Sequence, residues 1–286
     1  MARTRFTARA NWRPGISLLV LALAGCTVQQ NSLNPDASSS QRSGFGDQEV
    51  PAICSEPQPQ NSASLAKKPT AAQLQLRLGI GYMQEGAHET ALTALERSIQ
   101  LAPQQAEAHA ALALLNVQMK RHDEARNSYR RALRLEPGNP EINNNYGYFL
   151  CQQGEYLAAD RRFQCAIANP LYSTPWRAYY NAGICALEAG ELKQADIYLR
   201  TTRQLAPDLP QPLYYLADLA HRRGSHEQAA DYLKRFRQVA SPSAASLWLG
   251  VQIGRALDDR DMEASYSLSL RNLFPDSDQA QSLFSQ

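Results

Sequence analysis

Asn143-Asn144-Asn145-Tyr146-Gly147-Tyr148-Phe149-Leu150-Cys151-Gln152-Gln153-Gly154, followed at intervals by Ala159, Phe163, Cys165 and Ala166, decides how the chain folds. Large Tyr146 precedes small Gly147, Gly154 supplies a turn, and small Ala159 and Ala166 flank aromatic Phe163. Two antiparallel helices approach closely only where one presents Gly or Ala to another small residue and large side chains fill the gaps beside it. The stretch therefore predicts a helical hairpin whose small residues are geometric requirements.

Outward from this stretch the pattern recurs. The small residue of the second helix falls at Ala91, Ala125, Ala159, Ala195, Ala229 and Ala264, in steps of 34, 34, 36, 34 and 35. First-helix small residues stand at Gly79, Ala113, Gly147, Gly183, Ala217 and Gly250, and turn glycines at Gly86, Gly154, Gly190 and Gly224. Pro103, Pro137, Pro207 and Pro242 stop second helices, because proline cannot continue the hydrogen-bond ladder. This is the rule of the tetratricopeptide unit, two helices in about 34 residues. It predicts an all-α fold, a right-handed superhelical solenoid of six tetratricopeptide (TPR) hairpins over 72–105, 106–139, 140–175, 176–209, 210–242 and 243–276, with a tail over 277–286. The junction Asn169-Pro170-Leu171-Tyr172-Ser173-Thr174-Pro175-Trp176 carries the two extra residues of the 36-residue step and should be the longest connection. The sixth unit is the least regular, as an end cap should be.

The chain before the repeats has a different character. Residues 1–25 join Arg3, Arg5, Arg9 and Arg13 to an apolar run from Ile16 to Ala24, too short for a permanent membrane span and suited to an export signal. Leu23-Ala24-Gly25-Cys26 resembles a lipobox, in which the Cys26 thiol takes a diacylglycerol and the peptide is cut before it. An ordinary signal peptide with a chance cysteine is the alternative. Thr27, where an aspartate would retain a lipoprotein in the inner membrane, points to the outer membrane, and several acyl chains would hold the chain there. Residues 26–71 are rich in Ser, Gln, Asn and Pro with no apolar periodicity, the composition of a disordered, lipid-anchored tether. The formal charge of +2 becomes −2 once residues 1–25 and their four arginines are gone, so the basic balance gives no support to nucleic-acid binding.

By their place in the repeat, Leu76, Ile80, Met83, Leu114, Val117, Asn144, Tyr148, Tyr180, Ile184, Tyr214 and Asp218 should face a concave groove lined by first helices, apolar at its start and more aromatic and polar later. Such a groove suits a peptide or amphipathic helix. The alternative for Leu76, Ile80 and Met83 is packing on a neighbouring helix or on the end of the tether. Asn145 and Asn181 stand where they can bond backbone as readily as hold a ligand. His88, His109, His122, His221 and His226 read as solvated turn residues without further ligands at matched spacing, so no metal is expected. No phosphate loop, nucleophile elbow or His-Glu-x-x-His is present, which favours a binding protein over an enzyme and leaves no cofactor or small-molecule substrate expected beyond the lipid on Cys26. Export would place the cysteines in an oxidising compartment. Cys151 and Cys165, on the two helices of one hairpin, are the favoured disulfide; Cys165 with Cys185 competes, three free thiols remain possible, and Cys54 is expected to stay unpaired.

The lipobox, the six units, Asn144-Asn145-Tyr146-Gly147 running into Phe149-Leu150-Cys151, the Asn169-Pro170-Leu171-Tyr172 junction, and Leu247-Trp248-Leu249-Gly250 with Arg271-Asn272-Leu273-Phe274-Pro275 resemble the PilF/PilW family of type IV pilus biogenesis and stability lipoproteins. The resemblance spans residues 70–276 and implies an outer-membrane pilotin that promotes localisation and multimerisation of the pilus secretin, and with it twitching motility. The long tether departs from the compact family pattern. The alternative function is a general envelope scaffold that regulates peptidoglycan enzymes, and a further one is a lipid-anchored hydrolase.

Overall fold

The computed structural model describes Cys54 and residues 69–283; the export signal, Cys26 and nearly all of the tether lie outside the described residues. The described chain is helical throughout, in six antiparallel pairs: α1 (Ala71–Gln84) with α2 (His88–Leu101), α3 (Ala106–Gln118) with α4 (His122–Leu135), α5 (Pro140–Gln152) with α6 (Tyr156–Ala168), α7 (Pro175–Glu188) with α8 (Leu192–Leu205), α9 (Gln211–Arg222) with α10 (His226–Val239), and α11 (Ala244–Ala256) with α12 (Arg260–Leu273). Each pair packs on the next, which is the architecture of a TPR solenoid.

Local chemistry places the helix ends. Thr70 and Gln73 close a reciprocal capping box at the start of α1, and Ser243 and Ser246 do the same for α11. Asn139 caps α5, accepting from the Ile142 amide at 3.1 Å ahead of Pro140 in the first turn. The third-to-fourth connection, residues 169–174, is the longest between units. Asn169 holds it by donating to the Gly138 carbonyl at 2.7 Å and accepting from the Leu171 amide at 2.8 Å, while Tyr172 turns inward and is buried.

Within a hairpin the small residues perform their expected role. A Cβ added at Gly147 would lie 2.8 Å from the Phe163 ring and 3.1 Å from the Ala159 carbonyl, so α5 and α6 could not keep their present separation. Phe163 is fully buried, and beside it Tyr129, Tyr146 and Phe149 form an aromatic stack with centroids 5.0 to 6.1 Å apart, joining the second unit to the third.

The four expected turn glycines are in place, while the sixth unit and the segment after it differ from the sequence reading. The six hairpin turns fall at Gly86, Lys120, Gly154, Gly190, Gly224 and Asp258, so a left-handed residue is needed in every unit but is glycine in only four. In the sixth unit this turn exposes a slip in the expected register. Seven residues before Asp258 stands buried Val251, not Gly250, and five after it stands Glu263, while Ala264 is exposed. Gly250 still makes the expected close approach, against the Tyr266 ring sixteen residues on as Gly147 does against Phe163, and Gly254 adds a second approach against the Glu263 backbone. The segment after α12 is also more than a tail: α13 (Asp278–Gln281) packs Ala280 onto the last hairpin.

Candidate functional site

Successive first helices touch one another, α1 with α3, α3 with α5, and so on to α11, whereas no comparable contact joins successive second helices among the described residues. Elements that meet at every step lie on the tighter side of a curved stack. The first helices therefore form the inner wall, and residues spaced one repeat apart on them become lateral neighbours.

This wall has an aromatic and polar middle. Tyr148, Tyr180, Ile184, Tyr214 and Asp218 are half-buried, with one side on the core and the other in reach of a partner. Tyr215, outside the set expected from sequence, connects them: its ring meets Tyr180 edge-on at 5.8 Å and Tyr214 at 5.1 Å, and Tyr214 in turn meets Phe236 at 6.0 Å. The repeated Tyr179-Tyr180 and Tyr214-Tyr215 pairs were its signal. Burial pushes the Tyr180 and Tyr214 hydroxyls well above their ordinary values, so they act as neutral hydrogen-bonding groups. Asn144 is 6% exposed and accepts from the Asn181 amide at 3.0 Å, so the two asparagines join neighbouring first helices. At one end of this strip Arg222 pairs with Asp218 at 2.9 Å and donates to the Leu187 carbonyl at 3.1 Å. Partial desolvation raises the nearby Glu188 carboxyl, and Arg222 pulls it back.

The apolar beginning of the predicted groove is only partly present. Leu76 and Met83 are 9% and 4% exposed and pack with Leu95, Ala108, Ala111 and Leu115, so they belong to the core. Ile80, Leu114 and Val117 are half-buried and remain on the wall. A different apolar face is open instead. Leu74 and Leu78 are 47% and 48% exposed, although residues one repeat on from Leu74, namely Ala108, Ile142 and Ala178, are buried against the preceding unit, as are Tyr146, Ala182 and Leu216 in the Leu78 column, where Leu112 is half-buried. No described unit precedes the first, so α1 presents an interface that each later unit uses for stacking. Comparing columns across the repeats is the signal that would have found it.

The cysteines correct the favoured pairing. Cys151 is joined to Cys185, linking α5 to α7 with Cα atoms 5.8 Å apart, and Cys165 is joined to Cys54. Cys165 lies two residues beyond Phe163, the side chain that faces α5. Two residues turn a helix by about 200°, which points Cys165 away from its own hairpin partner. Among the described residues no three His, Cys, Asp or Glu side chains gather as metal ligands, and no helix is long and apolar enough to cross a membrane.

Comparison with known proteins agrees with this architecture. Tetratricopeptide repeat family profiles match residues 76–140 and 128–161. The type IV pilus assembly protein PilF of Pseudomonas aeruginosa is 34% identical over 205 residues, covering 71% of this chain and 80% of PilF. The crystal structure of PilW, described as a widely conserved type IV pilus biogenesis factor, superposes with a TM-score of 0.72 at 29% identity, covering 75% of this chain and 99% of that one. The structure of Pseudomonas aeruginosa PilF superposes with a TM-score of 0.68 at 32% identity, covering 75% of this chain and 97% of that one.

Proposed function

Because the chain belongs to the PilF/PilW family of tetratricopeptide proteins of type IV pilus biogenesis, we propose that it is a non-catalytic pilotin: an outer-membrane lipoprotein that brings pilus secretin subunits together. The observation that carries the reading is the inner wall of first helices, whose half-buried tyrosines are disposed for a protein segment. Tyrosine gives a large contact area at low entropic cost and a hydroxyl for the partner's backbone.

The proposed mechanism is physical. Lipid on Cys26 confines the chain to the inner leaflet of the outer membrane, facing the periplasm. The wall from Ile80, Leu114 and Val117 to Tyr148, Tyr180 and Tyr214 holds a segment of the secretin subunit, and confinement raises the local concentration of subunits where the ring forms. Small molecules, metals and nucleic acids have no part in this scheme.

A photo-cross-linking residue at Tyr180, with a second at exposed Leu78, tests the reading in membranes. Recovery of a secretin subunit at either position is the expected result. Recovery of a peptidoglycan synthase or hydrolase would replace the proposal with the envelope-scaffold reading. Cys26→Ser should move the protein out of the membrane fraction and reduce secretin multimers; unchanged fractionation and multimers would overturn the anchoring half.

A further inference from the structure

The bridge between Cys54 and Cys165 changes where the N-terminal segment is attached to the repeats. In sequence that segment enters at α1. In the structure Cys54 is bound to α6, on the outer wall of the third unit, with Cα atoms 5.2 Å apart and Cys165 2% exposed. The partners alternate along the chain, Cys54 with Cys165 and Cys151 with Cys185, so the two covalent rings overlap across α5 and α6. The hairpin that receives the N-terminal segment on α6 is thus also tied, through α5, to the fourth unit.

We propose that Cys54–Cys165 is the mechanical attachment of the anchored N-terminus: the lipid holds the repeats through α6 of the third unit and not through α1. This rests on the reading of Cys26 as lipidated. The anchoring spacer is then the 27 residues between Cys26 and Cys54. A coil of that length has a root-mean-square span of roughly 30 Å, against roughly 37 Å for the 45 residues up to Ala71. Attachment at α6 puts the anchor's point of pull on the outer, second-helix wall. It leaves the tyrosine wall on the opposite side, and it frees the α1 face with Leu74 and Leu78 from the pull of the anchor. Forming the bridge takes two electrons and two protons from the two thiols and leaves one S–S bond; a disulfide-bearing oxidoreductase of an oxidising compartment accepts both and is left as its dithiol.

The test places a recognition sequence for a site-specific protease between Ser62 and Ala63 of the full chain, with free thiols alkylated before membranes are cut. The expected result is that the cut repeats stay in the membrane sediment and move almost entirely to the supernatant on adding a phosphine reductant, while uncut chain stays bound with reductant present. In the Cys54→Ser variant, cutting alone should release them. Release of the parent chain by cutting alone, or retention of the cut Cys54→Ser variant, overturns the proposal. Uncut chain already in the supernatant refutes lipid anchoring instead. A non-reducing gel then judges the bridge by itself: one covalent species after cutting supports it and two pieces overturn it.

Discussion

The third hairpin and the first hairpin follow the same small-residue rule, yet one is closed on every side and the other is open. In the third, Phe163 fills the gap opposite Gly147, the Tyr129-Tyr146-Phe149 stack joins the preceding unit, and Cys151–Cys185 joins the following one. In the first, Leu95 faces Gly79 in the same way, but Leu74 and Leu78 face outward with no described unit before them. The repeat rule specifies a hairpin; the neighbours decide whether a given apolar residue is core or interface. Cohesion and recognition are therefore separable, and substitutions should divide accordingly.

The largest contrast is between Phe163→Ala and Leu78→Ala. Emptying the fully buried Phe163 site should cost about 4 kcal/mol, as large core truncations do. Leu78→Ala should change stability by no more than about 0.5 kcal/mol, since its side chain is half exposed already. Denaturant unfolding of both variants measures the difference. Comparable losses would mean that the α1 face is covered in solution.

Next in size is the covalent link at the centre. Replacing Cys151 and Cys185 together by serine removes a cross-link across 34 residues, which corresponds to about 3 to 4 kcal/mol if the effect is mainly on the unfolded chain. Hydrogen exchange should show the loss in α5 and α7 and leave α11 and α12 unchanged. An even loss along the chain would show that the repeats unfold as one unit.

What could be read from the sequence follows the same division. Gly147, Ala159 and Phe163 are constrained by contacts within one hairpin, which lie a few residues apart and leave a periodic trace. The partners of Cys151 and Cys165 depend on the phase of α5 and α6 against other elements. That phase changes by about 100° per residue, so a plausible hairpin pairing failed. Leu76 and Met83 were misplaced for the same reason. In the sixth unit no turn glycine marks the register, and Glu263 occupies the position expected of Ala264. Asp258, in the left-handed conformation, is the true marker.

That observation gives a smaller test. Glycine at Lys120, where φ is 59°, removes the steric cost of a side chain in the left-handed region and should stabilise the second hairpin by about 1 kcal/mol. A rise in melting temperature for Lys120→Gly is the expected outcome; a fall would show that the lysine side chain contributes more than its backbone conformation costs.

The smallest effect concerns the fifth hairpin, which connects the closed centre to the C-terminal units. Burial holds the His221 imidazole below its ordinary value of 6.5, and the His226 ring, whose Nδ1 lies 3.1 Å away, and Arg222 act in the same direction against Asp218. The unfolded chain takes up this proton near pH 6.5 while the folded chain still resists it. Stability from His221 is thus fully present above that pH and is lost as pH falls through the lower folded value. Glu188 works in the opposite sense, because its raised carboxyl is relieved by protonation, so the net slope alone does not identify the histidine. The difference between parent and His221→Gln does. Between pH 7.5 and pH 5 the parent should lose more melting temperature than the variant, with the extra opening confined to α9 and α10 in hydrogen exchange. Equal losses in the two proteins would remove His221 as the source and leave the turn no more sensitive to acid than the centre.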